Sequence, residues 1–280
     1  VALKKFLVQT DLSNVKLRIY SKPNCIYCTM AKNLCDKLKV NYEVKGPDDL
    51  TVCSEPIVGV TFPKIFDVST GGMNPIGGFE DLERFLRPSF DFDMLKAVVK
   101  VMTVNLNNII DYNFYPTKET ETSNLRHRPI GLGVQGLANV FMELKIPFTS
   151  DEAKQLNEDI FETIYYASME SSMEISRDRG EKMRIYKRGY TQKDDLDSNE
   201  EFIDGYTLDM LGKELKFIPE ELDRDNYLGA YSSFEGSPLS KGEFQFDLWS
   251  QSPSDRYDWS SLMIEIQKYG VRNSLLVAPM

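Results

Sequence analysis

The spacing of apolar positions divides the chain into two textures. Between residues 14 and 88 the apolar runs are short and bounded by turn residues. VKLRIYS (15–21) predicts a strand, KPN a turn, and the apolar positions Met30, Leu34 and Leu38 a helix. VNYEVK (40–45) predicts a second strand and GPDD a turn. FPKIFDV (62–68) and NPIG (74–77) predict two short strands around Gly71-Gly72, and FEDLERFLR (79–87) a helix stopped by Pro88. This order, strand-helix-strand-strand-strand-helix, places Cys25 and Cys28 where the first strand hands over to the first helix.

From Phe90 onward the periodicity is that of long amphipathic helices. FDFDMLKAVVKVMTVNLNNIID (90–111) predicts a helix capped by Ser89, with Leu95, Val98, Val99, Met102, Leu106 and Ile109 on its apolar face. A polar linker (116–128) precedes RPIGLGVQG, a buried strand feeding the helix LANVFMELK. Ser150 caps a helix of about thirty residues that should end at Gly180, a glycine stop. Residues 181–230 lose periodicity and gain acidic runs (KDDLDSNEE, PEELDRD), which predicts a solvated insertion with at most a short helix near LDMLGKEL. YDWSSLMIEIQKYG then predicts a helix and VRNSLLVAP a buried strand. A core strand ending at Met280 without a cap, loop or polar tail suggests that the polypeptide has been cut or continues elsewhere.

Composition narrows the function classes. With 33 basic and 43 acidic residues, a formal charge of −10 and 41% hydrophobic residues, the 280-residue chain reads as one large globular domain or two small ones. That charge argues against a nucleic-acid surface, which needs clustered Lys and Arg. No apolar run approaches the length of a membrane span, and VALKKFLVQT does not read as an export signal, so the expected location is the cytoplasm. The charge is uneven: residues 14–88 are nearly neutral, whereas 181–230 are clearly acidic.

Four cysteines are too few for a disulfide-stapled secreted fold, but three of them crowd together as Cys25, Cys28 and Cys35. In a Cys-x-x-Cys pair at a helix start, unpaired backbone N–H groups favour the thiolate of the first sulfur, and the second lies within reach to resolve a mixed disulfide. Cys25 is then the nucleophile and Cys28 the resolver, with Lys22 placed to add positive charge. Two other readings stand beside it. A zinc site would have to draw on Cys35, Cys53 or the lone His127, with no second paired motif, so no metal is expected; inert burial is the other reading. Cys35 reads as a small core residue and Cys53 as incidental. His127, between two arginines in a polar loop, is a poor catalyst, and Gly131, Gly133 and Gly136 form only a weak nucleotide fingerprint, better read as strand-to-helix packing.

At SKPNCIYC (21–28), TFP (61–63) and IGGFEDL (76–82), residues 14–88 resemble a glutaredoxin. The resemblance implies a thioredoxin-like fold, Pro63 as the family's cis-proline, glutathione as thiol co-substrate, and Lys22, Tyr27, Thr61, Phe62, Pro63, Glu80 and Asp81 as its contacts. Phe62 would offer a main-chain edge to an extended peptide. Ile26 stands where many relatives have proline, and 46–60 is too short for the family's usual second helix.

NLNNIIDYNFYP (105–116), SNLRHRPIGLGVQGLANVF (123–141), NEDIFETIYYASMESS (157–172), FEGSPLSKGEFQFDLW (234–249) and YGVRNSLLVAP (269–279) resemble the large subunit of class I ribonucleotide reductase. The implied fold is α/β throughout: a thioredoxin-like domain plus a partial slice of the ten-stranded α/β barrel. In that family the radical-bearing cysteine lies upstream of the matching stretch and the substrate-phosphate loop after it, so the resemblance carries over no catalytic residue of the reductase. VALKKFLV (1–8) resembles the segment preceding the helix that begins here at FDFDML. The expected organisation is therefore a reductase-like lead-in (1–13), a glutaredoxin domain (14–88) inserted in a surface loop, and a barrel fragment (89–280). Its expected partners are the remaining segments of the large subunit, the radical-generating small subunit and glutathione. The alternative is a stand-alone glutathione-dependent disulfide reductase with a structural C-terminal region.

Overall fold

The computed structural model describes residues 1–52, 61–191 and 207–279, which form two compact units. One comprises Leu7–Asp91 with Ala138–Pro147, and the other Val1–Phe6, Phe92–Leu137 and Phe148–Met280. The first unit therefore interrupts the second in sequence.

The first unit contains β1 (Leu7–Val8), β2 (Lys16–Tyr20), α1 (Ile26–Leu38), β3 (Asn41–Lys45), β4 (Lys64–Asp67), β5 (Asn74–Gly77), α2 (Phe79–Leu86) and β6 (Ser89–Phe90). Its central sheet has the order β3-β2-β4-β5, with β2 parallel to β3 and antiparallel to β4, and β5 antiparallel to β4. Together with α1 and α2 this is a thioredoxin-like arrangement. Alternation along β2 sends Leu17 and Ile19 to one face, where they and Ile65 meet Ala31 and Cys35 of α1 and Leu82 and Leu86 of α2. Each such large apolar side chain stabilises the unit by roughly 1.5–3 kcal/mol. Arg18 pairs with Glu43 of β3 and donates to Met73 Sδ at 3.2 Å. After β3 a short 3-10 turn spans Pro47–Val52; Cys53 and the rest of 53–60 lie outside the described residues.

The ends of this unit lie side by side. β1 pairs antiparallel with β6, Leu7 opposite Phe90 and Val8 opposite Ser89, and the Thr10 hydroxyl donates to the Arg87 carbonyl at 2.8 Å. Ser89 is thus a strand residue and not the cap expected for the next helix, which starts at Phe92. Within the same unit, Arg87 Nη1 donates to the Leu144 carbonyl at 3.4 Å and Lys145 pairs with Glu83.

The remaining elements are α3 (Phe92–Tyr112), α4 (Lys118–His127), β7 (Pro129–Val134), α5 (Leu137–Glu143), α6 (Asp151–Thr191), α7 (Leu208–Leu215), α8 (Gln245–Leu248), α9 (Trp259–Tyr269) and β8 (Ser274–Pro279). α5 belongs almost entirely to the first unit. β7 and β8 pair in parallel from Pro129 opposite Ser274 to Val134 opposite Pro279, and Val1–Leu3 extend this sheet where Ala2 bridges Gln135. The described residues thus hold part of a parallel sheet and no closed barrel. Tyr166, Met169 and Met173 of α6 are buried in one core with Phe234, Phe244, Trp259 and Ile266.

Three further features depart from expectation. The linker 116–128 contains α4, which has no buried residue and hence no apolar stripe to announce it; Thr117 caps it, accepting from the Thr120 N–H at 3.3 Å. His127 is accordingly the last residue of a helix, its Nδ1 2.7 Å from the Ser233 hydroxyl. Gly180 does not stop α6, which runs to Thr191. A Cβ on Gly180 would lie 3.3 Å from the Gly229 nitrogen, and one on Gly229 would lie 1.7 Å from the Ser176 carbonyl oxygen, so these glycines serve a crossing of two backbones. Finally, 181–230 is not simply a solvated insertion: Met183, Leu211, Leu215 and Leu228 form a small core, although KDDLDSNEE lies outside the described residues.

A buried polar network ties this unit together. Arg128 donates from Nη1 and Nη2 to both Asp111 carboxylate oxygens at 2.9 and 2.8 Å and from Nη2 to Asn107 Oδ1 at 2.9 Å. Asn273 Nδ2 donates to the same Asn107 oxygen at 3.2 Å, and the Asn273 N–H to Ser172 Oγ at 2.9 Å. Nearby, Arg179 Nη2 lies 2.6 Å from Glu221 Oε2, and Arg272 Nη1 3.5 Å from Glu221 Oε1. Glu221 is 1% exposed.

Removing that carboxylate strands two buried guanidinium groups. Glu221→Ala should cost about 3–5 kcal/mol in urea unfolding of the full chain. The exposed Lys213→Ala should stay within about 0.5 kcal/mol of the parent. Gly229→Ala should be severely destabilising by the same measurement, because no rotamer relieves a clash between Cβ and backbone.

Candidate dithiol site

Local folding places Cys25 at the cap of a helix. Asn24 takes a positive φ of 54° in the KPN turn, Cys25 is extended, and α1 begins at Ile26. The Cys25 sulfur then occupies the position usually held by a Ser or Asp oxygen, accepting from the Cys28 N–H at 3.2 Å. The orphan N–H groups of the first turn favour an anion at that point. Cys25 is half-buried and Cys28 buried. Burial pushes the Cys28 thiol up, and its hydrogen bond with Cys25 acts in the same direction. Cys35, fully buried, is pushed up to about 11 by burial, with the Asp36 charge adding to the effect, as suits an unreactive core residue.

Opposite the helix start, the Phe62 carbonyl lies 3.5 Å from Cys25 Sγ and accepts from its thiol. The following Phe62-Pro63 peptide bond is cis and Pro63 is buried. The Lys22 ammonium stands 5.8 Å from the centre of the Phe62 ring. Lys22, Cys25, Phe62 and Pro63 are therefore brought together, with Thr61 exposed beside them. Tyr27 is exposed, and its ring leans towards that of Phe79 with centroids 6.3 Å apart. Phe79 was not singled out in the sequence; its only signal was its place directly after Gly77-Gly78 at the start of a helix.

Glu80 is exposed in the first turn of α2. Asp81 is engaged locally: it accepts the Gly78 N–H at 2.9 Å and pairs with Arg84 at 3.1 Å, so much of its carboxylate caps α2. Gly77 has a φ of 124°, and a Cβ there would lie 2.3 Å from the Asp81 carboxylate, which ties glycine to this turn. Among the described residues, no group of three His, Cys, Asp or Glu side chains is placed to hold a metal ion, and no helix is long and apolar enough to cross a membrane.

The family model of the ribonucleotide reductase barrel domain matches residues 80–280. The ribonucleoside-diphosphate reductase large subunit of Caenorhabditis elegans is 39% identical over 250 residues, 89% of this chain and 22% of the relative. Large chain 2 of the Saccharomyces cerevisiae enzyme is 35% identical over 275 residues, 98% of this chain and 24% of the relative. The large subunit of Danio rerio is 41% identical over 192 residues, 69% of this chain and 18% of the relative. A solved structure of Glutaredoxin 1 from Francisella tularensis, complexed with cacodylate, covers 25% of this chain and 88% of its own at 22% identity, with a TM-score of 0.20. The chain spans less than a quarter of the length of these reductase relatives. On the match of its residues 80–280, the chain belongs to the ribonucleotide reductase barrel-domain family.

Proposed function

We propose that the chain is a section of a cytoplasmic ribonucleoside-diphosphate reductase large subunit, the enzyme that makes deoxyribonucleoside diphosphates, carrying an inserted glutaredoxin module. In this reading 14–88 is the module, 1–13 its reductase-like lead-in and 89–280 the barrel section. The module exchanges thiols for disulfides, and nucleotide reduction is completed by other parts of the large subunit with a radical-generating small subunit. A stand-alone disulfide reductase would leave the family match over 80–280 without a purpose.

The observation that carries the thiol chemistry is the Cys25 sulfur at the cap of α1, 3.2 Å from the Cys28 N–H. The Cys25 thiolate attacks one sulfur of a target disulfide; the new sulfur–sulfur bond forms as the old one breaks, and the departing sulfur takes up a proton. Cys28 then loses its proton and attacks Cys25, closing a Cys25–Cys28 disulfide and releasing the second thiol. Two glutathione molecules restore the dithiol and leave as glutathione disulfide. The glutathione contacts we propose are Lys22, Tyr27, Thr61, Phe62, Pro63, Glu80 and Asp81. The Phe62 carbonyl against the sulfur and the Lys22 ammonium over the Phe62 ring support the first part of that set, whereas Asp81 shares its carboxylate with the α2 cap. Each reductase turnover oxidises a thiol pair, and a tethered dithiol meets it at an effective concentration on the order of mM.

Cys25→Ser should abolish exchange with a glutathione mixed disulfide, whereas Cys28→Ser should retain it and lose only ring closure. Retention of exchange in Cys25→Ser would overturn the assignment. Because the Cys28 thiol is raised, closure should accelerate with pH, by about tenfold per unit while Cys28 remains mostly protonated, as read by quenched-flow decay of the Cys25 mixed disulfide. Iodoacetamide at pH 8 should modify Cys25 in the native chain and reach Cys35 only after unfolding.

A further inference from the structure

The second unit holds a cleft of about 370 Å³ between α3, α6 and α7, a volume typical of small-ligand sites. Val104, Ile175 and Leu215 contribute apolar wall, but the charges are uneven. Arg128, Arg179, Arg272, Lys182 and Lys216 line the cleft against the carboxylates of Asp111, Asp178 and Glu214. Glu221, paired with Arg179 and Arg272, brings one further carboxylate. One positive charge is left over, in a chain whose formal charge is −10. The surplus falls on Arg272. Arg128 takes both oxygens of Asp111, whereas Arg179 and Arg272 divide Glu221 at 2.6 and 3.5 Å. Arg272 is 3% exposed, and its acceptors, the Ala230 and Gly229 carbonyls at 3.2 and 3.4 Å and the more distant Glu221, all face Nη1. Among the described residues no acceptor meets its Nε or Nη2. No described side-chain nitrogen or oxygen that is sealed from solvent lacks a partner, so these N–H groups open on the cleft that Arg272 lines. Burial pushes the Arg272 guanidinium well down from its ordinary range, and the charges of Arg179 and Arg128 push the same way. An arginine nevertheless keeps its proton at neutral pH, so a counter-anion is what relieves the imbalance.

We propose that this cleft binds the phosphate group of a small molecule, with the Nε–Nη2 edge of Arg272 as the fork that takes two of its oxygens. That edge is planar and presents parallel N–H groups, the geometry that matches two oxygens of one oxyanion. Phosphate suits the site better than a carboxylate because it carries more than one negative charge near neutral pH and offers further oxygens to a second cation. Lys216 supplies that cation: it is exposed, with its ammonium 4.1 Å from the centre of the exposed Tyr112 ring, which puts its charge on the solvent side of the cleft. A concave site with a positive surplus also draws anions in from solution. Every lining residue belongs to the second unit, so the proposal stands independently of the thiol exchange.

Calorimetric titration of the full chain in low-salt buffer tests this with three probes: inorganic phosphate, glycerol 3-phosphate and acetate. Both phosphate probes should bind about tenfold more tightly than acetate and weaken as salt is added. Tighter binding of glycerol 3-phosphate than of inorganic phosphate identifies a phosphate monoester as the occupant, and equal binding identifies the free ion. Arg272→Lys, which keeps the charge and removes the fork, should weaken phosphate binding about tenfold. Because that side chain is buried, two exposed positions test the site without disturbing the core. Lys216→Gln should weaken phosphate binding about threefold, and Asp178→Asn, which removes a lining carboxylate, should tighten it by about as much. Absence of binding by both phosphate probes, acetate binding as tight as phosphate, or an affinity unmoved in both Lys216→Gln and Asp178→Asn would overturn the proposal.

Discussion

The second unit depends on satisfying one buried cation. Arg128 is 1% exposed, and an unpaired guanidinium at that depth would cost several kcal/mol. Its planar fork needs a carboxylate and an amide oxygen in fixed positions, and Asp111 and Asn107, four residues apart on α3, supply both from one helix face. Asn107 in turn accepts from Asn273 at the entry to β8, which reaches Ser172 of α6. One guanidinium thus fixes the rotation of α3, the start of β7, the start of β8 and the register of α6. The apolar core supplies most of the burial, and this polar chain joins the four elements through directional bonds that a core of apolar contacts does not provide.

In the first unit the corresponding constraint is the start of α1. Its inner face packs against the sheet through Ala31 and Cys35, which anchors the helix and thereby the cap. The cysteine that caps it accepts a backbone N–H of the first turn, from Cys28, in the way a Ser or Asp cap would. The site therefore depends on a helix staying docked more than on any single polar partner.

The parts that could be read from the sequence were those in which residue type and spacing agree. β2 is legible as a short run of β-branched and aromatic residues ended by a turn, α1 by its apolar spacing, and Cys25 and Cys28 by a Cys-x-x-Cys separation at a helix start. Other features were silent for physical reasons. α4 has no buried face, so it has no periodicity. Gly180 has the form of a helix stop, and only the path of residue 229, far along the chain, reveals that it clears a crossing. Glu221 lies in an acidic run that reads as solvated, and its role emerges only when Arg179, forty-two positions earlier, is seen beside it. Asp81 reads as a ligand contact from the resemblance alone, and the sequence does not show that one of its oxygens also accepts the Gly78 N–H.

The pairing of Leu7 with Phe90 gives the long segment of the first unit, Leu7–Asp91, a small footprint in the covalent chain. Opposed residues of an antiparallel ladder are about 4.5–5.5 Å apart, little more than the step between neighbouring Cα atoms. More than eighty residues are therefore accommodated at a junction no wider than a tight turn. Such a junction holds the two ends of the intervening chain together by backbone hydrogen bonds alone, so the spacing of those ends does not depend on how the residues between them are folded.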